Sequence, residues 1–259
     1  LPKALSSHRT MTLPATKEIS AAYERAVDAK ADSPAALKGP YASKVGAMIY
    51  APSCSRLDAA YATNMCARCL AFPTVEMDEM ADRCIVYMAQ TRERGIIYDA
   101  SAPDASEFWA CSDSDWAVNH STTGFAMCYG GAAIEYSSKR QVSIANSSTE
   151  AEIMAASTAA CEIMYYRGLL AEMGVDMSKP TVLKVDNSGA VCLSKHMTSC
   201  KRSRHIQRRW LKIRELVAEG HIVVEWTPTD DNAADMLTKA LAQEPFERHR
   251  SVLMGREGD

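Results

Sequence analysis

The spacing of apolar residues changes near residue 100, and this change constrains the fold more than any other feature of the chain. Before it, apolar residues recur at helical spacing, and after it come short apolar runs separated by turn residues. Three such runs precede the first long helical stretch, and later runs alternate with helices. Strands first and alternation afterwards predict an α/β fold, a mixed five-stranded sheet flanked by helices and preceded by a small helical segment.

Turn and capping residues place the elements of this sheet. Gly130-Gly131 between two apolar runs predicts a hairpin. Thr149 and Glu152 form a Thr-x-x-Glu pattern, which predicts a capping box at the start of a long helix. The predicted strands cover 108–112, 125–129, 133–137, 181–185 and 222–226, with a short candidate at 96–98, and the predicted helices cover 149–172, a stretch from 187, 205–219 and 233–241.

Composition divides the rest of the chain. Residues 1–40 are rich in Ala, Ser, Lys and Pro, which predicts a flexible arm or linker. Residues 41–104 are predicted to be helical, 105–245 to form the α/β domain, and 246–259 to be a C-terminal tail.

The start at Leu1 shows no signal-peptide pattern, so we expect an internal cut or a processed end. Nine scattered cysteines favour reduced thiols and an intracellular protein without membrane attachment, cytoplasmic or nuclear.

Acidic residues stand at predicted strand ends and helix starts. Taken singly, Asp113 and Asp186 are explained as turn or capping residues, and Glu150, Glu152 and Asp235 as acids in first helical turns. Sites in open sheets form at the carboxyl ends of strands, facing helix N-termini. If the first and fourth strands are neighbours, the candidate carboxylates meet at one edge; these are Asp113, Glu152, Asp186 and Asp235.

Clustered carboxylates repel one another unless cations neutralise them. Oxygen ligands alone suit Mg²⁺ or Mn²⁺. Two such ions can activate water and stabilise a leaving oxygen at phosphorus. The same four residues are therefore candidate ligands for two divalent ions. We expect no small-molecule cofactor.

One stretch of the chain is strongly basic although the net charge is −3. Residues 195–214 hold eight Lys or Arg, two His and no acid. A solvated helix face is one explanation, and a phosphate-binding patch is the other. The candidate nucleic-acid-binding residues are Lys195, Lys201, Arg202, Arg204, His205, Arg208, Arg209 and Lys212.

The segments around the carboxylates resemble the Pol polyproteins of copia-type LTR retrotransposons. They are Cys111-Ser-Asp-Ser-Asp-Trp-Ala117, Ser147-Ser-Thr-Glu-Ala-Glu152, Val185-Asp-Asn-Ser-Gly-Ala190 and the run Pro228 to Lys239. They occur in the family's order and at family-like spacing. Upstream, 41–50 and 55–61 resemble the end of a reverse transcriptase, so the likeness extends from about residue 40 to the C-terminus.

This resemblance implies a ribonuclease H-like domain that cleaves the RNA strand of RNA–DNA hybrids, joined to a polymerase region upstream. It implies that Asp113, Glu152, Asp186 and Asp235 are catalytic, with Glu150 as the second choice for the glutamate. The chain has no Tyr-x-Asp-Asp motif, so we expect no polymerase activity from it.

Two other hypotheses remain open. An integrase or transposase on the same fold usually places its catalytic Glu last, whereas here Asp235 comes last. An inactive or domesticated element that only binds nucleic acid is the other alternative. Leu57, and the pair Gln207 and Arg208, depart from the family pattern and keep this alternative open.

Overall fold

The computed structural model describes residues 10–30, 34–117, 120–189, 191 and 204–255. The chain divides into two compact units. The first unit comprises residues 1–96 and 239–250, and the second comprises residues 97–238 and 251–259. In the part of the chain that the structure describes, no helix is long and apolar enough to cross a bilayer.

The first unit is helical, which confirms the expectation of helices before the sheet. Its core is formed by side chains such as Ile19, Tyr41, Met65 and Met77. The helices are α1 (Ile19–Asp28), α2 (Ala35–Cys54), α3 (Ala60–Ala67) and α4 (Val75–Gln90). A later helix, Gln243–Leu253, also lies largely within this unit's residues.

Two helices begin within residues 1–40, the range expected to form a loose arm. In α1 the buried residues recur at i, i+3, i+4 and i+7, from Ile19 to Ala26, and so form one apolar face. Helix α2 continues through Pro40, although proline removes a helical hydrogen bond. Tyr41, directly after Pro40, and Val45, about one turn later, are fully buried. Packing of these side chains therefore outweighs the tendency of Pro40 to interrupt the helix.

The second unit contains a mixed five-stranded sheet, as predicted. The strands are β1 (Trp109–Asp115), β2 (Thr122–Tyr129), β3 (Ala132–Arg140), β4 (Thr181–Val185) and β5 (Ile222–Trp226). Their order is β3-β2-β1-β4-β5. Strands β1, β2 and β3 pair antiparallel, whereas β4 is parallel to both β1 and β5.

Helices cover this sheet and complete its core. Helix α5 (Ser148–Glu172) packs against β1 and β2 and against α6 (Arg204–Ala218). The core side chains include Phe125, Ile153, Leu183 and Leu216. The β2–β3 hairpin turns at Gly130 and Gly131, whose φ angles of 71° and 79° suit glycine. The predicted hairpin is therefore confirmed.

The capping prediction at the start of α5 is wrong. The N-cap residue is Ser147, whose side chain accepts a hydrogen bond from Glu150 N at 3.2 Å. Glu150 Oε2 in turn accepts from Asn146 N at 3.0 Å. Glu150 thus makes the reciprocal contact that the sequence pattern gave to Glu152, and the carboxylate of Glu152 is available elsewhere.

Three other predicted elements differ in the structure. Residues 96–98 form no strand, because Ile97 N donates to Met254 O instead of to a ladder. The helix expected over 233–241 is a short 3₁₀ helix, Ala233–Leu237, which ends where Thr238 N bonds three residues back to Asp235 O. Helix α7 (Gln243–Leu253) covers part of the tail expected at 246–259. Most of the helix expected from Asn187 lies outside the described residues.

Candidate metal centre

Asp113 and Asp186 meet because their strands are neighbours. Strands β1 and β4 pair in parallel, with Cys111 opposite Lys184, so both strands end at one edge of the sheet. Asp113 is 1% exposed within β1, and Asp186 directly follows β4 and is half-buried. The condition on which the predicted cluster depends, adjacency of the first and fourth strands, is met.

Glu152 reaches this edge from helix α5. Its Oε1 accepts hydrogen bonds from the backbone N and the hydroxyl of Ser114, both at 3.2 Å. Its Oε2 is buried and has no hydrogen-bond partner among the described residues. Glu150 instead caps the helix through Asn146. The structure therefore places Glu152, and not Glu150, beside Asp113.

Three carboxylates converge at the sheet edge. Asp113, Glu152 and Asp186 each offer one oxygen, and these oxygens lie within 4.8 Å of one another. Burial, followed by the charges of Asp113 and Asp186, raises the pKa of Glu152 to about 9 from its usual value of 4.5. Such a site needs a proton or a cation to offset the repulsion. Oxygen-only ligands and the unpartnered Glu152 Oε2 fit Mg²⁺ or Mn²⁺.

Asp235 lies outside this group of three. It is buried within the 3₁₀ helix Ala233–Leu237. Its backbone carbonyl accepts from Thr238 Oγ1 at 3.1 Å, and the same hydroxyl is hydrogen-bonded to Asp113 Oδ2. The fourth predicted residue is thus next to the cluster, linked to it through a threonine.

Sequence reasoning missed the hydroxyl and amide groups around the carboxylates. Thr229 Oγ1 donates to Asp186 Oδ2 at 3.0 Å, and Trp226 Nε1 donates to the Asp186 carbonyl at 3.1 Å. Asn232 Nδ2 donates to the Ser112 carbonyl at 3.0 Å. Thr229 and Asn232 lie within the Pro228–Lys239 segment, and Trp226 lies two residues before it. That segment's likeness to the family marked the stretch but not these contacts.

The basic residues are described only in part. Arg208 and Lys212 are exposed on α6, and Arg209 is half-buried there. Lys212 Nζ also donates to Glu215 Oε2 at 3.0 Å. Lys195, Lys201 and Arg202 lie outside the described residues, as do the side chains of Arg204 and His205.

Comparison with known proteins identifies relatives among transposon polyproteins. The chain is 34% identical over 214 residues to the retrovirus-related Pol polyprotein from transposon TNT 1-94 of Nicotiana tabacum, covering 81% of this chain and 16% of that one. It is 32% identical over 217 residues to the corresponding polyprotein from transposon RE1 of Arabidopsis thaliana, covering 82% and 15%. The solved structure of LC11-RNase H1, from compost, has a TM-score of 0.42 and 17% identity, over 55% of this chain and 97% of that one. No family model matches the chain.

The mixed sheet, with carboxylates from two adjacent parallel strands at one edge, is the ribonuclease H-like fold that the motifs predict. The chain is homologous to part of the Pol polyproteins of copia-type retrotransposons. It spans about a sixth of the length of these two polyproteins.

Proposed function

We propose that this chain is a ribonuclease H, a metal-dependent endonuclease that hydrolyses the RNA strand of RNA–DNA hybrids during reverse transcription. The observation that carries the proposal is the convergence of Asp113, Glu152 and Asp186 within 4.8 Å, at the sheet edge that the family motifs mark. Homology to the Pol polyproteins and the fold both support a nuclease.

The chain's own residues would divide the work as follows. Asp113, Glu152 and Asp186 would hold two divalent ions, and Asp235 would complete the set from the adjacent 3₁₀ helix. When bound, the ions would supply an acidified water and charge stabilisation at the scissile phosphate. Hydrolysis would leave 5′-phosphate and 3′-hydroxyl ends. Burial excludes water from Asp113 and Glu152 and so strengthens their interaction with cations.

Substrate recognition is assigned to α6 and the basic run before it. Exposed Arg208 and Lys212, with Arg209, Lys195, Lys201, Arg202, Arg204 and His205, would contact backbone phosphates. The RNA strand would be distinguished by its 2′-hydroxyls in the minor groove. In the full polyprotein, the polymerase region upstream would supply further grip on the hybrid.

The test is cleavage of labelled substrates by the purified chain in Mg²⁺ or Mn²⁺. We expect the RNA of a hybrid to be cut, and single-stranded RNA and duplex DNA to be left intact. Asp113→Asn and Glu152→Gln should lower the cleavage rate by more than about 100-fold, since each removes a metal ligand. The matched control is Glu150→Gln, which should cleave as the parent does.

Three results would contradict the proposal in different ways. An intact hybrid in both metals would favour the inactive, nucleic-acid-binding element. Cleavage of duplex DNA in preference to hybrid would favour the transposase-type alternative. Loss of activity in Glu150→Gln with retention in Glu152→Gln would show that the wrong glutamate has been assigned.

A further inference from the structure

One short segment of the second unit, residues 229–238, holds both strand ends that carry the aspartates. Thr229 Oγ1 donates to Asp186 Oδ2 at 3.0 Å. Thr238 Oγ1 is hydrogen-bonded to Asp113 Oδ2. Two threonine hydroxyls from a single segment therefore contact two of the three clustered carboxylates.

The segment is fixed independently of those two hydroxyls. Asn232, 1% exposed, donates through Nδ2 to the Ser112 carbonyl at 3.0 Å, next to Asp113. Its Oδ1 accepts from Ala234 N at 3.3 Å and caps the 3₁₀ helix. Asn232 thus anchors the middle of the segment to β1. The backbone that carries Thr229 and Thr238 is therefore fixed by contacts other than their hydroxyls.

Gly124 leaves the space that Thr238 needs to approach Asp113. It lies opposite Asp113 in the β1–β2 register. A Cβ at Gly124 would be 2.6 Å from Thr238 Cγ2 and 2.9 Å from Leu237 Cβ, closer than atoms can pack. Because Gly124 has no side chain, the Thr238 hydroxyl can reach the Asp113 carboxylate on β1.

We propose that Thr229 and Thr238 are positioning residues that orient the metal-binding oxygens of Asp186 and Asp113. This inference rests on the proposed function, because it concerns the same site. A hydroxyl bonded to one oxygen of a carboxylate restricts the rotation of the group and so would set the direction in which the carboxylate is presented to a cation. Partners of metal ligands typically change metal affinity or activity by about 10–100-fold when removed.

Thr238 has one hydroxyl hydrogen and two acceptors, Asp113 Oδ2 and the Asp235 carbonyl. Hydrogen bonds to a charged oxygen are stronger than those to a neutral carbonyl. The hydrogen therefore goes to Asp113, and Asp235 O is the weaker acceptor. The contact of Thr229 is exposed to water, so its effect is the smaller of the two.

The experiment measures Mn²⁺ binding to the full chain by calorimetry, without substrate. Thr238→Val keeps the shape but removes the hydroxyl, and should weaken binding by about 10-fold or more, whereas Thr238→Ser should restore it. Thr229→Val should weaken it by about threefold. The matched control is Thr158→Val in α5, whose hydroxyl donates only to the Met154 carbonyl, and it should bind as the parent does.

Gly124→Ala gives an independent test of the same contact. It should displace Thr238 and weaken Mn²⁺ binding, and Thr238→Val in that background should add little, because both changes remove one interaction. Full additivity would show that Gly124 and Thr238 act separately and would contradict the role given to Gly124.

The outcomes separate this inference from the proposed function. If the parent binds Mn²⁺ and cleaves hybrid, but Thr238→Val and Thr229→Val bind Mn²⁺ as the parent does, the positioning role is overturned alone. If the parent binds no divalent ion, both are overturned. Should Thr238→Val fail to fold, the exposed Thr229→Val decides the matter, because Mn²⁺ binding equal to that of the parent would overturn the positioning role.

Discussion

At the scale of single residues, the two glutamates at the start of α5 differ because of helical geometry. Residues two apart on an α-helix point about 200° apart. Glu150 therefore faces the loop before the helix, where it accepts from Asn146, and Glu152 faces Ser114 on β1. The choice between them, open in the sequence, depends on where the helix begins, and the helix begins after Ser147.

Glu152→Gln should stabilise the metal-free protein at pH 8 and have little effect at pH 5. The raised pKa of about 9 means that the folded state keeps a proton that an unfolded glutamate loses near 4.5. This contribution to stability is complete below pH 4.5 and is lost progressively as pH rises from 4.5 to 9, so most of it is gone at pH 8. Glutamine mimics the protonated form at every pH. Thermal unfolding in EDTA at both pH values tests this, and a pH-independent difference would contradict it.

The sequence predicted the candidate carboxylates but not their surroundings. Their order, and their places near strand ends, follow from local pattern. Asp186 directly follows β4 as predicted, whereas β1 continues two residues beyond Asp113. The contacts of Thr229 and Thr238 join residues 43 and 125 positions apart. Such long-range hydrogen bonds leave no periodic signal in a single sequence.

At the scale of elements, strands with clear turn signals were predicted well. The strand 181–185 and the strand 222–226 match β4 and β5, and the Gly130-Gly131 hairpin is present. The errors fall where tertiary contacts replace local ones. Asn232 and Thr238 bond to the sheet and leave only a 3₁₀ turn where a helix was expected, and the buried Tyr41 and Val45 hold α2 together through Pro40.

Gly131→Ala should destabilise the second unit by about 2 kcal/mol or more, because an alanine there would adopt a left-handed conformation. Gly131 has φ +79°, and a Cβ would lie 2.9 Å from Ala102 Cβ and 3.2 Å from Asp99 O. The matched control is Gly168→Ala within α5, which has open space around it and should gain about 0.5–1 kcal/mol. Urea unfolding followed by tryptophan fluorescence measures both, and equal effects would contradict the assignment.

At the scale of the whole molecule, each unit has its own core, and the first also has a buried ionic network. Asp58, 1% exposed, accepts from Arg56 Nε and Nη2 at 2.9 Å and from the Tyr87 hydroxyl at 2.6 Å. All four tryptophans, at 109, 116, 210 and 226, lie in the second unit. Circular dichroism reports on both units, whereas tryptophan fluorescence reports on the second alone.

Asp58→Ala should therefore lower the stability seen by circular dichroism by about 3–5 kcal/mol, since it leaves the Arg56 charge buried without its partner. The matched control is Glu93→Ala, which breaks the exposed Arg92–Glu93 pair and should change nothing measurable. If the midpoint of unfolding, followed by circular dichroism, is unchanged in Asp58→Ala, the ionic network contributes little to the stability of the first unit.

The charge distribution of the whole chain bears on how it would hold a hybrid. The net charge is −3, so attraction to phosphates must come from local basic surface. Binding of a labelled hybrid in EDTA should weaken as salt rises from about 50 to 200 mM, and Arg208→Ala should reduce the salt slope by about one, because one phosphate contact is lost. The matched control is the exposed Lys179, which precedes β4 at the sheet edge opposite the carboxylates, so Lys179→Ala should leave the slope unchanged. If the two variants shift the slope equally, the attraction is diffuse, and α6 is not the phosphate-binding surface.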